Sequence, residues 1–275
     1  MRLPVAPAAI LLLAPALAAQ SPATPPAAPA APAAPTLTLT IFGGAITGHD
    51  LWTVERQPVC ILSGATCSAE DDTVRLARQL SPSLVLGLSA AYFPGPALGF
   101  QGEIVYLGLP IDDTCGAAAF RDQRNADLCA DVTAAAGGGS AIAFFLGATV
   151  RPSPFSALSP YARLGAGVVA YSSSTIEVVG TYLDGGRVRT RELIADAGGG
   201  RARPGFLAAV GITSALGPGY RFRLELRDVY GGFDTVTGPA NRQGLDAATG
   251  SAYHHHIGLV LGLDIVLEHK RGRRY

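Results

Sequence analysis

Residues 83–108 have the sequence SLVLGLSAAYFPGPALGFQGEIVYLG, and this stretch decides the fold. Apolar side chains occupy every second position of its first half, at Leu84, Leu86, Leu88, Ala90 and Tyr92. Mostly small residues lie between them, so the period is two, which predicts a β-strand. Residues 93–96, Phe-Pro-Gly-Pro, end that strand, because proline has no N–H to donate to a sheet and glycine permits a tight reversal.

The second half of the stretch predicts a partner strand with two unlike faces. Phe100, Ile104 and Tyr106 share one face, and Gln101 and Glu103 share the other. A soluble sandwich would turn its bulky face inward and expose a polar one. Here the bulky face has aromatic residues at its ends, and a carboxylate shares the other face with small residues. This pattern favours a membrane barrel, with lipid outside and a narrow polar lumen inside.

Similar alternation recurs along the chain and predicts eight strands, an even number as bacterial single-chain barrels require. Besides the two strands of the 83–108 hairpin, they cover residues 36–45, 142–151, 161–171, 205–213, 220–227 and 255–267. We therefore expect an all-β fold, an eight-stranded antiparallel transmembrane β-barrel.

The connections between these strands alternate strictly between short and long. Short ones rich in Pro and Gly cover residues 93–96, 152–160 and 215–219. Long ones cover residues 46–72, 110–139, 172–204 and 231–252, and the third is expected to contain an external hairpin. Short periplasmic turns and long extracellular loops are typical of outer-membrane barrels, so both termini are predicted to be periplasmic.

Composition agrees with a barrel. The chain is 48% hydrophobic and 15% charged, and it contains 34 glycines. A lipid-facing wall around a narrow interior needs apolar and small residues. The formal net charge is zero, so nothing indicates a nucleic-acid partner.

The ends of the chain predict three further segments around a barrel at residues 36–268. Residues 1–19 have a positive start, an apolar run and an Ala-x-Ala pattern, which indicate a signal peptide; the run is too short for a membrane anchor. Residues 20–35 are almost only Ala and Pro, typical of a disordered tether, although a partner-binding Pro-rich motif has the same composition. Residues 269–275 form a basic tail, either a frayed end or a contact for anionic phospholipid.

The alternating strands resemble the small outer-membrane β-barrel family of the OmpA/OmpX type over residues 36–267. The last strand is similar to the C-terminal signal read by the barrel-assembly machinery. The chain departs from the family in its basic tail, and we expect no peptidoglycan-binding domain. The resemblance implies a monomer in the cell outer membrane, in contact with outer-membrane lipids.

Charged residues at the alternate positions of their strands that face the lumen predict an ion-pair network inside the barrel. They are Glu103, Arg163, Arg221, Arg223, Glu225, Arg227 and Asp264. Charges buried in a narrow barrel must pair, since an isolated one costs several kcal/mol. The network is expected to plug the barrel; the alternative is a small gated pore.

Four cysteines are compatible with disulfides in an exported chain. Cys60 and Cys67 lie in the first long loop, and Cys115 and Cys129 lie in the second. Pairing within each loop, Cys60–Cys67 and Cys115–Cys129, is the simplest of three possible arrangements. A metal site is less favoured, because no Cys-x-x-Cys spacing or matched histidine appears.

His254 and His256 share one face of the last strand and are the only weak metal candidates; we interpret them as polar residues of the outer rim. A lipid-A deacylase barrel would use a serine beside such a histidine, but Gly258 stands at that position. We therefore expect no enzymatic activity, no metal and no cofactor.

Arg187, Arg189 and Arg191 alternate after a turn in the third long loop. Such a row suits surface phosphate, as on lipopolysaccharide, or simply a solvated strand face balanced by nearby carboxylates. The expected function is a structural or surface-interaction role: loop display, envelope integrity or adhesion. The alternative is a small gated pore or transporter for small or hydrophobic solutes.

Overall fold

The computed structural model describes residues 35–59, 72–117, 119–154, 156–173, 175–195, 202–240 and 247–268. The predicted signal peptide, the tether up to residue 34 and the basic tail lie outside these residues. The strands in the described part of the chain are β1 (Thr36–Ile46), β2 (His49–Val59), β3 (Asp72–Leu80), β4 (Ser83–Phe93), β5 (Leu98–Gly116), β6 (Ala136–Val150), β7 (Leu158–Tyr171), β8 (Val178–Asp184), β9 (Arg187–Ile194), β10 (Ala202–Gly217), β11 (Tyr220–Val236) and β12 (Thr249–Glu268). A helix, α1 (Gln123–Ala134), precedes β6.

Eight of these strands close into an antiparallel ring. Their order is β1–β4–β5–β6–β7–β10–β11–β12. The ring closes because β12 pairs with β1, from Thr36 opposite Glu268 to Ile46 opposite Gly258. The eight-stranded barrel predicted from the alternation is confirmed.

The wall has an apolar outer surface and a mixed inner one. Each ring strand exposes bulky apolar side chains to the outside, as at Leu84 and Leu164, which are both 68% exposed. On β1, Thr38, Thr40 and Phe42 point inward and are buried. In a membrane these outer apolar side chains contact lipid instead of water, and this removal from water stabilises the barrel.

The two ends of the ring differ. Turns at residues 94–97 and 218–219 lie at one end, together with the described residues between β6 and β7, the start of β1 and the end of β12. This is the short-turn end, and the long connections define the long-loop end. Gly219 has a φ of 78°, a left-handed conformation that glycine adopts without strain, so the last short turn is tight.

Three of the long connections contain more regular structure than the sequence analysis predicted. The predicted first loop, residues 46–72, contains β2 and is followed by β3, and the second contains α1. β11 and β12 pair as far as Val236 opposite Thr249, so the fourth connection is shorter than predicted. Backbone pairing continues past the apolar band, where outward side chains no longer need to be apolar.

The external hairpin expected in the third connection is present as β8 and β9. Gly185 and Gly186 join the two strands with φ values of 55° and 79°. Two-residue hairpin turns of this kind require positive φ, which glycine supplies.

Elements of the long connections pack together over the lumen. We call β2, β3, α1, β8 and β9 the cap. β3 pairs with the outer part of β5, from Arg75 opposite Gly116 to Leu80 opposite Ile111. Trp52 of β2 is buried, and its indole N–H donates to the Thr175 carbonyl at 3.0 Å. The cap therefore has its own apolar core joined to the barrel wall.

The helix of the cap is fixed by polar contacts at both ends. The Asp122 side chain accepts a hydrogen bond from the Arg124 N–H at 3.0 Å and so caps the helix. Asp131 accepts from the Thr181 N–H of β8 at 2.7 Å. Asn125 donates to Asp72 of β3 at 2.8 Å. α1 therefore bridges the two hairpins of the cap. Within the described residues, no helix is long and apolar enough to cross a membrane.

Candidate functional site

The lumen holds a cluster of four charged side chains from three different strands, β5, β7 and β11. Arg163 of β7 lies 2.9 Å from Glu103 of β5 and 2.7 Å from Glu225 of β11. Arg227 lies 2.7 Å from the same Glu225 oxygen and 3.5 Å from Glu103. Each of the four residues is only 1% exposed. Two guanidinium groups and two carboxylates therefore neutralise one another inside the wall.

A second pair extends the cluster toward the short-turn end. Arg223 lies 2.9 Å from Asp264 of β12 and 3.7 Å from Glu225. The Thr40 hydroxyl donates to Asp264 at 2.8 Å. The network thus links β1, β5, β7, β11 and β12 across the lumen.

The uncharged Tyr161 and Gln101 also belong to the network, although they were not among its predicted members. The Tyr161 hydroxyl donates to Glu225 at 2.7 Å. Gln101 accepts hydrogen bonds from Thr149 at 2.6 Å and from Arg163 at 3.2 Å. Gln101 and Tyr161 have the same inward parity as Glu103 and Arg163, so extending the parity rule to all polar residues would have found them.

An apolar layer lies between the network and the cap. It includes Phe42, Val105, Phe145 and Val260, which are all at most 4% exposed. The Phe42 ring centroid is 4.3 Å from the guanidinium carbon of Arg227, so the layer packs directly on the network. Side chains of the network and of this apolar layer therefore fill the lumen at the levels where they lie.

Arg221 is not part of the ion-pair network, contrary to the prediction. Among the described residues, no carboxylate lies within 4 Å of its guanidinium group. Its cross-strand neighbour is Asp264, but Arg223, one inward position further along β11, occupies that carboxylate. Arg221 is half-buried instead and lines a cavity at the short-turn end.

His254 and His256 point inward near the cap, on one face of β12 as predicted. His49 at the start of β2 packs against both, with ring centroids 4.3 Å from His254 and 4.5 Å from His256. Burial, and then the neighbouring His254, lower the pKa of His49 to about 4, although Asp50 acts in the opposite direction. The described residues contain no group of three or more His, Cys, Asp or Glu placed to hold a metal ion. The packing of His49 against His254 and His256 was not predicted, because His49 belongs to a connection that is distant in the sequence.

His255 lies on the outer face, between the two inward histidines. Its Nδ1 is 2.6 Å from Asp228, and its ring centroid is 4.6 Å from that of Tyr230. Tyr253 is close to Tyr230 as well. These residues form an aromatic and polar edge where the apolar band ends, as is typical of a membrane–water interface.

The three arginines of the third connection lie on β9, at alternate positions of one face. Arg187 and Arg189 are exposed, and Arg191 is half-buried. Their cross-strand neighbours on β8 are Asp184, Tyr182 and Gly180, respectively. The row is therefore on the surface of the cap.

One of the two proposed disulfides falls within the described residues. Cys115 at the end of β5 is bonded to Cys129 of α1, at a sequence separation of 14 residues. This bond fastens the helix of the cap to the barrel wall. Cys60 and Cys67 lie outside the described residues.

Comparison with known proteins gives fold neighbours only. No family model matches the chain. No curated protein matches it either. Among solved structures, the outer membrane protein OprG from Pseudomonas aeruginosa is 11% identical with a TM-score of 0.46, and the match covers 86% of this chain and 98% of OprG.

Two further solved structures have the same kind of fold. The outer membrane protein AlkL, solved in lipid bilayers, is 12% identical with a TM-score of 0.41, covering 92% of this chain and 99% of AlkL. Neisserial surface protein A is 9% identical with a TM-score of 0.38, covering 84% and 96%. The closed ring and its apolar outer band carry the assignment: the chain has the fold of the small outer-membrane β-barrels.

Proposed function

We propose that this chain is a closed barrel of the outer membrane with a structural or surface-interaction role, exercised through its cap. One observation carries the proposal: Arg163 and Glu225 meet at 2.7 Å in the centre of the lumen, and both are 1% exposed. Eight strands leave an interior just wide enough for side chains to fill, and here side chains fill it.

The cap supports a role at a surface rather than in transport. Its elements are tied to one another and to the wall, as by Arg78 of β3, which lies 2.6 Å from Asp113 of β5 and donates to the Glu177 carbonyl. The Ala240 N–H donates to Gln57 of β2 at 2.8 Å, which joins the fourth connection to the cap. A cap held in one conformation presents a defined surface to a partner at low entropic cost.

The proposed orientation places the cap outside the cell and both termini in the periplasm, since long loops of outer-membrane barrels are extracellular. The protein would then act as a monomer among outer-membrane lipids, after insertion by the barrel-assembly machinery, with no nucleic-acid partner. The exposed Arg187 and Arg189 suit contact with lipopolysaccharide phosphate or with solvent.

A non-enzymatic role is part of the proposal. The paired His255 and Asp228 have the geometry of an oriented general base. The outward neighbours of His255 on β12 are Tyr253 and Ile257, which offer no serine nucleophile. The alternative is a gated pore for small or hydrophobic solutes. It requires the ion pairs around Glu225 to break so that a path through the lumen opens.

An epitope insertion tests display and orientation together. Peptide tags are inserted separately between Gly185 and Gly186, at the tip of the β8–β9 hairpin, and at the short turn between Pro218 and Gly219. An antibody should bind intact cells that carry the hairpin tag, and should detect the turn tag only after the membrane is permeabilised. Labelling of intact cells through the turn tag alone would overturn the orientation and the proposed role.

A further inference from the structure

Two arginines near the short-turn end have no carboxylate partner among the described residues. Arg151 follows β6 directly, is 6% exposed, and has its guanidinium carbon 3.5 Å from the centroid of the Phe93 ring. Arg221, near the start of β11, loses its cross-strand neighbour Asp264 to Arg223. This end of the lumen therefore has a surplus of positive charge, whereas the network above it is paired.

The two arginines affect each other. Burial, and then the positive charge of Arg221, lower the pKa of Arg151 to about 10, although Asp264 acts in the opposite direction. A buried charge without a counterion is destabilising, so an anion in this place would be stabilising.

A cavity of about 320 Å³ adjoins Arg221. Ser156, Ser159 and Thr213 contribute to its lining. Ser159 is 3% exposed, and its hydroxyl is buried without a hydrogen-bond partner. Leaving a buried hydroxyl unsatisfied costs free energy, which a ligand that accepts a hydrogen bond would recover. The residues that line the cavity therefore include a cation and a hydroxyl group whose hydrogen bond is unsatisfied.

We propose that the short-turn end binds a phosphate group, held in this cavity by Arg221 and the Ser159 hydroxyl and attracted by the neighbouring charge of Arg151. A guanidinium group matches phosphate oxygens with two parallel N–H donors. Two neighbouring cations suit phosphate better than a carboxylate, because a phosphate monoester carries more than one negative charge at neutral pH. A free phosphate and a lipid headgroup share this chemistry.

A titration of the mature chain in phosphate-free maltoside micelles tests the site. Inorganic phosphate is added at constant ionic strength, and the backbone amide NMR signals of Ser159, Thr213 and Arg221 are followed. We expect saturable shifts at these three positions and at least tenfold weaker binding in Arg221→Gln. Arg189→Gln, at the opposite end of the molecule, is the matched control and should bind as the wild type does.

Two more variants keep the test decisive if Arg221→Gln folds poorly. Ser159→Ala removes the donor without changing charge and should weaken binding several-fold. Replacing Lys270, Arg271, Arg273 and Arg274 by Gln removes the basic tail and should leave the shifts at Ser159 unchanged. Linear, non-saturating shifts in the wild type would overturn the proposal. It would also be overturned if Ser159→Ala and a folded Arg221→Gln both bound phosphate as tightly as the wild type does.

The source of the phosphate is distinguished in nanodiscs that contain phosphatidylglycerol. If a headgroup occupies the site, the shifted Ser159 signal is present before phosphate is added, and phosphate changes it little. If free phosphate is the ligand, the nanodisc titration follows the micelle titration. Both results support the site, whereas an unshifted signal throughout contradicts it.

Discussion

Arg163 lies 2.9 Å from Glu103, although β7 and β5, which carry them, are separated in the ring by β6. The contact therefore passes in front of a neighbouring strand, inside the lumen. The same guanidinium group reaches Glu225 on β11 at 2.7 Å. One side chain thus connects opposite parts of the wall, and this connection supports the proposal that the lumen is closed.

Replacing Glu225 with Ala should destabilise the barrel strongly. Its carboxylate is within 2.7 Å of both Arg163 and Arg227, and Tyr161 donates to it. Its removal leaves buried arginines under-compensated, which costs about 3–5 kcal/mol. Urea unfolding of the protein in lipid vesicles measures the change in free energy.

The matched control is Glu55→Ala. Glu55 forms an ion pair with Arg75 at 3.1 Å, but both side chains are well exposed, at 70% and 62%. A pair of this kind contributes about 0–1 kcal/mol. Equal losses of stability in Glu225→Ala and Glu55→Ala would show that the lumen pairs do not stabilise the barrel.

Reducing the disulfide should loosen the cap and leave the barrel intact. The Cys115–Cys129 bond closes a loop of 14 residues, and closing a loop of this length contributes about 3 kcal/mol in the chain-entropy model. In a Cys115→Ser/Cys129→Ser variant, amide hydrogen exchange should accelerate at Leu128 in α1 but not at Val260 in β12. Faster exchange at both residues would mean that the barrel depends on the cap.

Acid should loosen the cap around His49. The histidine of the unfolded chain takes up a proton near its ordinary pKa of 6.5, whereas in the fold the pKa is about 4, lowered first by burial and then by His254. The folded state binds fewer protons in this window. The stability that neutral His49 provides is therefore complete above about pH 6.5 and is lost as the pH falls toward 4.

Trp52, the only tryptophan, reports this loosening because it is buried in the cap. Its fluorescence emission should shift to longer wavelength between pH 7 and pH 4. His49→Phe keeps an aromatic ring beside His254 and should show a smaller shift. Identical emission spectra of the wild type at the two pH values would refute the prediction.

The barrel was predictable from sequence because each strand has one face in lipid and one in the lumen. Leu224 and Leu226 alternate with Arg223 and Glu225, which already determines the strand and its facing. β3 has the same signal at Val74, Leu76 and Leu80, but it was not recognised as a strand because it lies beside a stretch assigned to a loop.

Other features depend on distant contacts and had no local signal. β2 contains register shifts after Asp50 and Val54, so its alternation is interrupted. The register between β11 and β12 places Arg221 opposite Asp264, but the carboxylate pairs with Arg223, which lies diagonally across from it. The packing of His49 on His254 joins residues about two hundred positions apart. The alternation along each strand identified the residues that face inward, but it did not identify the side chains that they contact.

Planar-bilayer recording of the purified wild-type barrel tests the central claim most directly. Arg163, Glu103, Glu225 and Arg227 fill the lumen at 1% exposure each, so we predict no steady open-channel current. Any residual leak should favour anions, because Arg151 and Arg221 remain unpaired among the described residues. A steady, large and weakly selective conductance from the wild-type protein would mean that the lumen is open, and would contradict the closed-barrel account in favour of a pore.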